Sequence, residues 1–166
     1  ALYWVDIVGQ TIGRYTPKTG DITVFPQDEQ IGVIAFREKG GFITAGEKGF
    51  KFWSLQDNQL TPITDPEPGK ENARFNDGKV DRAGRFWAGT MTPSGETSSL
   101  YRMDSDLHYH VMAQGVTISN GIAWSPDNRL MYYVDSLRFT IYLYDYEIET
   151  REIRTTLVPT IFLGLT

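Results

Sequence analysis

Cysteine is absent from the 166-residue chain, and histidine occurs only twice. The absence of cysteine excludes disulfide bonds, thiolate metal ligands and a cysteine nucleophile, but it leaves the redox compartment open. The longest apolar runs fall well short of the roughly 20 residues that a membrane-spanning helix needs, and no leader-like segment opens the sequence. We therefore expect a protein that is cytoplasmic or otherwise soluble, without a targeting segment and without a membrane partner.

Blocks of like charge are also lacking, and the formal net charge is −5. The phosphate-neutralising surface that nucleic-acid binding requires is therefore not evident, and a small-molecule partner is expected instead. Hydrophobic residues make up 40% of the chain and aromatic residues 13%, which is enough apolar material for a folded core. No window shows sustained 3.6-residue periodicity, so helices should be few and short.

A short apolar or aromatic segment recurs along the chain at spacings of 40, 44 and 45 residues. A β-turn signal precedes each of the last three copies, and further strand-like segments surround each copy. The four copies occupy residues 2–7, 42–47, 86–91 and 131–136. Four short strands in each period of this length predict the blades of a β-propeller. A β-sandwich would show similar alternation and stays the alternative, although it does not require the same motif at the same phase.

The length of the chain predicts an incomplete ring of blades. A six-bladed propeller with this period needs roughly 260 to 290 residues. We therefore expect a partial, all-β propeller domain of about four of six blades over residues 1–158, beginning inside its first blade, and an atypical apolar tail over residues 159–166. A partial ring leaves apolar blade faces open, which predicts self-association through those faces.

Two asparagines occur at nearly the same position in consecutive repeats. Asn76 lies ten residues before the copy at 86–91, and Asn120 lies eleven residues before the copy at 131–136. An amide oxygen at such a position suits a hard divalent cation such as calcium, or a sugar hydroxyl. Either segment alone could be a simple turn, but their shared phase favours a functional site.

The two motifs that contain these asparagines resemble the gluconolactonase, regucalcin and senescence-marker-protein family. Residues 74–81 read Arg-Phe-Asn-Asp-Gly-Lys-Val-Asp, and residues 118–125 read Ile-Ser-Asn-Gly-Ile-Ala-Trp-Ser. The resemblance implies a six-bladed propeller that hydrolyses sugar lactones with one divalent metal ion, calcium or zinc. It further implies that Asn120 is a metal ligand and that Arg74 and Asn76 contact the substrate.

The same resemblance implies that this chain lacks part of the family's site. The metal-binding glutamate of the family would precede residue 1, and its metal-binding aspartate, which also serves as the general base, would fall near residue 165, where no Asp-Gly motif occurs. The catalytic residue of this chain is therefore unknown, and the isolated chain is expected to lack two of three metal ligands. The alternatives are a non-catalytic propeller module for binding or assembly, and a propeller hydrolase that acts on another ester.

Other polar and aromatic residues are expected to have structural roles. His108 and His110 could share one face of a strand, but we predict that they belong to an outer hairpin. Glu71, Asp77 and Asp81 could suggest paired carboxylates, but a solvated loop is favoured over a catalytic pair. The four tryptophans are expected to pack in the core or between blades, and they are Trp4, Trp53, Trp87 and Trp124.

Overall fold

A computed structural model describes residues 1–94, 97–149 and 152–155. All regular elements in these residues are β-strands, which form four antiparallel sheets in chain order. The first sheet contains β1 (Leu2–Asp6), β2 (Thr11–Thr16) and β3 (Asp21–Pro26). The second contains β4 (Ile31–Phe36), β5 (Phe42–Gly46), β6 (Gly49–Trp53) and β7 (Leu60–Thr64). The third contains β8 (Arg74–Val80), β9 (Phe86–Met91), β10 (Ser98–Met103) and β11 (Tyr109–Val116). The fourth contains β12 (Ser119–Trp124), β13 (Leu130–Asp135), β14 (Thr140–Glu147) and β15 (Glu152–Thr155).

Each sheet is a meander in which strands that are consecutive in sequence are also hydrogen-bonded neighbours. This is the strand order of propeller blades, whereas the strands of a sandwich pass between two sheets. The recurring segments predicted from the sequence correspond to the second strands β5, β9 and β13 of their sheets. The predicted all-β fold class with four-stranded blades is therefore confirmed, although the first described sheet has three strands.

Three predicted turns join first to second strands, and each uses a residue that tolerates a positive φ. Gly40, Gly84 and Asn128 have φ angles of 83°, 79° and 57°. The backbone N–H of each donates to the carbonyl three residues earlier, at 3.1, 3.0 and 3.0 Å respectively. Glycine and asparagine enter this left-handed region at low cost, which explains why these residues mark the repeat.

The chain divides into two compact units, Ala1–Phe75 and Asn76–Thr166, and their boundary falls within β8. The first unit has a core around Ile12, Phe42 and Trp53, in which the rings of Phe42 and Trp53 lie 4.9 Å apart. The larger core of the second unit includes the fully buried Trp87 and Tyr133. Each unit therefore has apolar packing of its own.

The tryptophan prediction holds for three of the four residues. Trp53 and Trp87 are buried, and Trp124 packs against the core of the second unit. Trp4 is 37% exposed and so lies outside the core of the first unit, while its packing between blades stays a prediction. The predicted tail at 159–166 lies outside the described residues. Within the described part of the chain, no helix could cross a membrane.

The prediction of a solvated loop is wrong for Asp81, whose side chain is fully buried. Its Oδ2 accepts hydrogen bonds from Arg85 Nε at 2.6 Å, Trp87 Nε1 at 2.8 Å and the Tyr146 hydroxyl at 2.9 Å. The backbone N–H groups of Ala83 and Arg85 donate to its Oδ1. Asp81 therefore ties the turn after β8 to β9 and β14. Glu71, in contrast, is exposed as expected.

Candidate functional site

The two asparagines selected from the repeat phase lie in direct contact within the second unit. Asn76 is the third residue of β8, and Asn120 is the second residue of β12. Asn76 Nδ2 donates to Asn120 Oδ1 at 3.0 Å and to the Ser119 carbonyl at 2.8 Å. Asn120 Nδ2 in turn donates to Ser136 Oγ at 2.8 Å. The first strands of consecutive sheets thus bring two amides and a hydroxyl into one hydrogen-bonded group.

Asp77 fixes the backbone beside this group. Its Oδ2 accepts from the Gly121 N–H at 2.8 Å, and its Oδ1 accepts from the Gly78 N–H at the same distance. Gly121 lies in a bulge of β12 with a φ of 49°, and a Cβ there would lie 2.8 Å from Val134 Cγ2. The positive φ favours glycine and the crowding requires it, and the carboxylate of Asp77 satisfies the N–H that the bulge turns away from the ladder.

Asp135 fixes the backbone on the other side of Asn120. This fully buried carboxylate accepts from the N–H and hydroxyl of Thr117 and from the Ile118 N–H at 3.2 Å. Arg138 Nη1 lies 3.6 Å from its Oδ2. Because these bonds hold the two residues before Ser119, the start of β12 has little freedom to move.

Ser119, Tyr133 and Gly89 form a tightly packed contact behind the two asparagines. Ser119 and Tyr133 are fully buried. A Cβ on Gly89 would lie 1.8 Å from Ser119 Oγ and 2.8 Å from the Tyr133 hydroxyl, so only glycine fits. Burial raises the pKa of Tyr133 well above its ordinary value, which keeps the phenol neutral.

Arg74, the third residue selected from the sequence, lies in the first unit. Its Nη1 donates to the Phe75 carbonyl at 3.1 Å. Partial burial lowers the pKa of Arg74 from its ordinary value, and the charge of Glu47 opposes that change. A guanidinium does not lose its proton in proteins near neutral pH, so Arg74 is a fixed cation.

The second sheet presents an apolar residue at the position that corresponds to Asn120. β4 and β5 change register between Ile31 and Val33, as β12 and β13 do between Asn120 and Ile122. By this register Ile31, which is 2% exposed, corresponds to Asn120. The repeat therefore conserves the backbone bulge in both sheets but places an amide in only one of them.

The described residues do not contain a group of three or more His, Cys, Asp or Glu side chains that could hold a metal ion. Asn120 Oδ1 is a neutral carbonyl oxygen, the donor type that calcium accepts, and a carbonyl oxygen has a second lone pair besides the one used by Asn76. The part of the chain that the structure describes thus fits one ligand position of a cation site. It does not provide a complete site.

The two histidines lie at the β10–β11 hairpin. His108 precedes β11, and its Nδ1 lies 3.4 Å from Asp106 Oδ2. His110 lies within β11, and its Nε2 lies 3.2 Å from Asp104 Oδ2. Because β11 is an edge strand of its sheet, the two residues belong to an outer hairpin as predicted.

Sequence reasoning missed Ser136 and Asp135, although both belong to a segment that it had identified. The copies of the repeat end in different residue pairs, and only the copy at 131–136 ends in Asp-Ser. Two polar residues at the end of a buried strand were a usable signal, because such groups need partners. The hydrogen bond from the Gly121 N–H to Asp77 could not be anticipated, because it depends on a bulge.

Comparison with known proteins shows what the chain is similar to. A family model described as "SMP-30/Gluconolactonase/LRE-like region" matches residues 1–160. Regucalcin of Danio rerio is 37% identical over 154 residues, which cover 90% of this chain and 52% of that protein. The 6-deoxy-6-sulfogluconolactonase of Pseudomonas putida is 36% identical over 145 residues, which cover 86% of this chain and 50% of that protein.

A solved structure of a luciferin-regenerating enzyme matches with a TM-score of 0.85 and 30% sequence identity, covering 92% of this chain and 54% of that one. The fold likeness agrees with the partial propeller that the sheet order shows. The chain spans about half the length of the curated relatives it matches.

Proposed function

The chain belongs to the SMP-30/gluconolactonase/LRE-like family, and on this premise we propose that it forms part of an enzyme that hydrolyses a sugar lactone with the help of one divalent cation. The observation that carries the proposal is the contact between Asn76 and Asn120, at 3.0 Å, in a chain whose relatives include a sugar-lactone lactonase. The two motifs that define the resemblance thus meet at one place in the fold.

Asn120 would supply one amide oxygen to the cation, which we propose to be calcium or zinc. When bound, such a cation polarises a lactone carbonyl and lowers the pKa of a bound water. Asn120 lies at the start of β12 between two backbone positions that carboxylates hold, those of Gly121 and Ile118. A ligand fixed in this way loses little conformational entropy when it binds, which favours affinity.

Asn76 and Arg74 would bind and orient the sugar lactone. An amide can donate to and accept from sugar hydroxyls, and the fixed positive charge of Arg74 suits an oxygen that gains negative charge during ester cleavage. No general base is assigned, because the two carboxylates beside this group, Asp77 and Asp135, accept hydrogen bonds from backbone N–H groups and so have structural roles.

The test is hydrolysis of D-glucono-δ-lactone, followed by pH-indicator absorbance with and without calcium or zinc. We expect cation-dependent hydrolysis by the complete enzyme of which this chain forms part, and we expect Asn120→Ala to abolish it and Gln114→Ala, a change at an exposed amide of β11, to leave it unchanged. Hydrolysis that persists in Asn120→Ala would contradict the metal role of Asn120. No hydrolysis by that complete enzyme with either cation would contradict the proposal, whereas the 166-residue chain alone is expected to be inactive because its described residues hold an incomplete set of metal ligands.

Substrate class requires a separate panel, because propeller hydrolases could act on other esters. Sugar lactones, aromatic lactones and phosphotriesters differ in the hydroxyl groups that Asn76 could bind. We expect hydrolysis of the sugar lactones, with a weaker effect of Asn76→Ala on any substrate that lacks ring hydroxyls. Preferential hydrolysis of a phosphotriester would identify the alternative ester hydrolase instead.

A further inference from the structure

We propose that the Ser119 carbonyl sets the direction of a hydrogen-bond relay that runs through Asn76 and Asn120 to the Ser136 hydroxyl, and that Ser136 is a positioning residue for Asn120. The relay determines which atom of the Asn120 amide is available as a ligand. Its significance for cation binding rests on the proposed function, but the relay itself follows from the contacts of the described residues.

The direction of the relay follows from the chemistry of its first acceptor. A backbone carbonyl has no hydrogen, so the side-chain atom of Asn76 that lies 2.8 Å from the Ser119 oxygen must be the nitrogen. The same nitrogen lies 3.0 Å from a side-chain atom of Asn120, which must therefore be the oxygen. The Asn120 nitrogen then points to Ser136 Oγ, at 2.8 Å.

The two ends of the relay are not equivalent. Ser136 Oγ can accept a hydrogen bond or donate one, so this end tolerates either orientation of its neighbour. The Ser119 carbonyl can only accept. It is therefore the Ser119 end that makes the relay unidirectional.

The Ser119 carbonyl cannot turn away, because the backbone is held on both sides of it. Asp135 binds the N–H groups of Thr117 and Ile118, and Asp77 binds the N–H of Gly121. The Ser136 N–H also donates to the Ile118 carbonyl at 3.1 Å, which joins the two ends of the relay through the main chain. The geometry that specifies the amide orientation is thus built into β12 and the end of β13.

The consequence for a cation site concerns the orientation of one amide. With the relay intact, Asn120 presents an oxygen on the side of Asn76, and its nitrogen is directed to Ser136. A reversed Asn120 would present an N–H there, which repels a cation. The Ser119 carbonyl selects this orientation, and Ser136 holds the amide in place by accepting its N–H, without itself being a ligand.

Two isosteric substitutions test the direction of the relay, and both are measured on the full chain without cation or lactone. Asn76→Asp places a carboxylate oxygen against the Ser119 carbonyl, where a donor is required. Asn120→Asp keeps an acceptor toward Asn76, and its second oxygen can accept from the Ser136 hydroxyl. We expect the unfolding constant of Asn76→Asp at pH 7 to rise by about tenfold or more, and that of Asn120→Asp to change little.

The pH dependence of Asn76→Asp provides a second signature. The carboxyl at position 76 can replace the amide donor only when it is protonated, so its pKa in the folded state is raised above the unfolded value of about 3.9. The stability of Asn76→Asp relative to the wild type is therefore fully recovered below the unfolded pKa, and it is lost again as the pH rises through the folded pKa. Gln114→Glu, which adds the same charge at an exposed amide, should show no such recovery.

Equal losses in Asn76→Asp and Asn120→Asp, or a larger loss in Asn120→Asp, would overturn the proposal. If Asn76→Asp does not fold, the side-chain NH2 resonances of Asn120 decide the question in Ser136→Ala and Ser136→Thr. We expect faster hydrogen exchange of that amide in Ser136→Ala and wild-type behaviour in Ser136→Thr. If hydrogen exchange of the Asn120 side-chain amide is unchanged in Ser136→Ala, the relay does not end at Ser136. Neither measurement involves turnover. If the lactonase assay fails but Asn76→Asp still loses more stability than Asn120→Asp, only the proposed function is rejected and the relay stands.

Discussion

A single buried carboxylate, Asp81, connects three elements of the second unit. Burial alone would raise its pKa, but hydrogen bonds from Trp87, Arg85 and Tyr146 outweigh it and hold the pKa of Asp81 below its ordinary value. The pKa of Tyr146, one of these hydrogen-bond partners, is instead raised to about 12. Burial is the larger cause, and the hydrogen bond to Asp81 is the next. Both groups therefore stay in the protonation states that the network requires across the neutral range.

Removing the charge of Asp81 should destabilise the fold and change its acid sensitivity. Asp81→Asn leaves Arg85 buried without its carboxylate, which should lower the free energy of unfolding by about 3–5 kcal/mol. Because the folded pKa of Asp81 is depressed, its stabilisation is complete above the unfolded pKa of about 3.9 and is lost as the pH falls through the folded pKa.

Urea unfolding of wild type and Asp81→Asn, at pH 7 and between pH 5 and pH 2, measures both effects. The difference between the two proteins should shrink as the pH falls. Glu38→Gln removes an exposed carboxylate and should reproduce neither effect. A constant difference over the whole range would show that Asp81 does not titrate as described.

At the level of elements, the bulge of β12 restricts position 121 in two ways, by a positive φ and by crowding against Val134. Mutations can separate these two effects. Gly84 and Gly121 both have positive φ angles, of 79° and 49°, but a Cβ on Gly84 would have no neighbour within 4 Å. Backbone strain alone should cost Gly84→Ala about 1 kcal/mol. Gly121→Ala adds the crowding against Val134, at 2.8 Å, and should be clearly more destabilising.

Thermal unfolding of the two alanine variants measures the difference between strain and crowding. The Gly121 variant with Val134→Ala should recover part of its stability, because that second change removes the crowded methyl groups. Equal melting temperatures for Gly84→Ala and Gly121→Ala would show that crowding at the bulge is negligible.

The strands were predictable from the sequence, but the contacts that build the site were only partly so. Turn residues such as Gly40 and Gly84 and the aromatic second strands are local signals, so they located β5, β9 and β13. The common phase of Asn76 and Asn120 correctly placed them together, while their roles as substrate contact and metal ligand stay predictions. The burial of Asp81 was missed because Tyr146, one of its partners, lies 65 residues away.

At the scale of the whole molecule, apolar side chains remain exposed on the first sheet. Leu2, Ile22 and Val24 are 61%, 66% and 54% exposed. Exposed apolar groups that lie together favour association, because contact removes them from water. Self-association of this chain, expected from open blade faces, therefore stays a prediction with a specific surface to test.

Sedimentation of the full chain over a range of concentrations should show a mass above that of the monomer. The triple variant Leu2→Thr, Ile22→Thr and Val24→Thr should shift the distribution toward the monomer. Val8→Thr, an 83% exposed residue in a turn, is the matched control and should not. A monomer at all concentrations, or association that the triple variant leaves unchanged, would contradict the prediction.

The contact of Gly89 with Ser119 and Tyr133 has a consequence for how such repeats can be recombined. A residue of the third sheet is restricted to glycine by side chains of the fourth, since a Cβ there would lie 1.8 Å from Ser119 Oγ. The third and fourth sheets are therefore a matched pair, even though their strands follow the same pattern. A chimaera that exchanges one sheet for a copy from elsewhere in the chain must carry over this complementarity as well as the strand pattern.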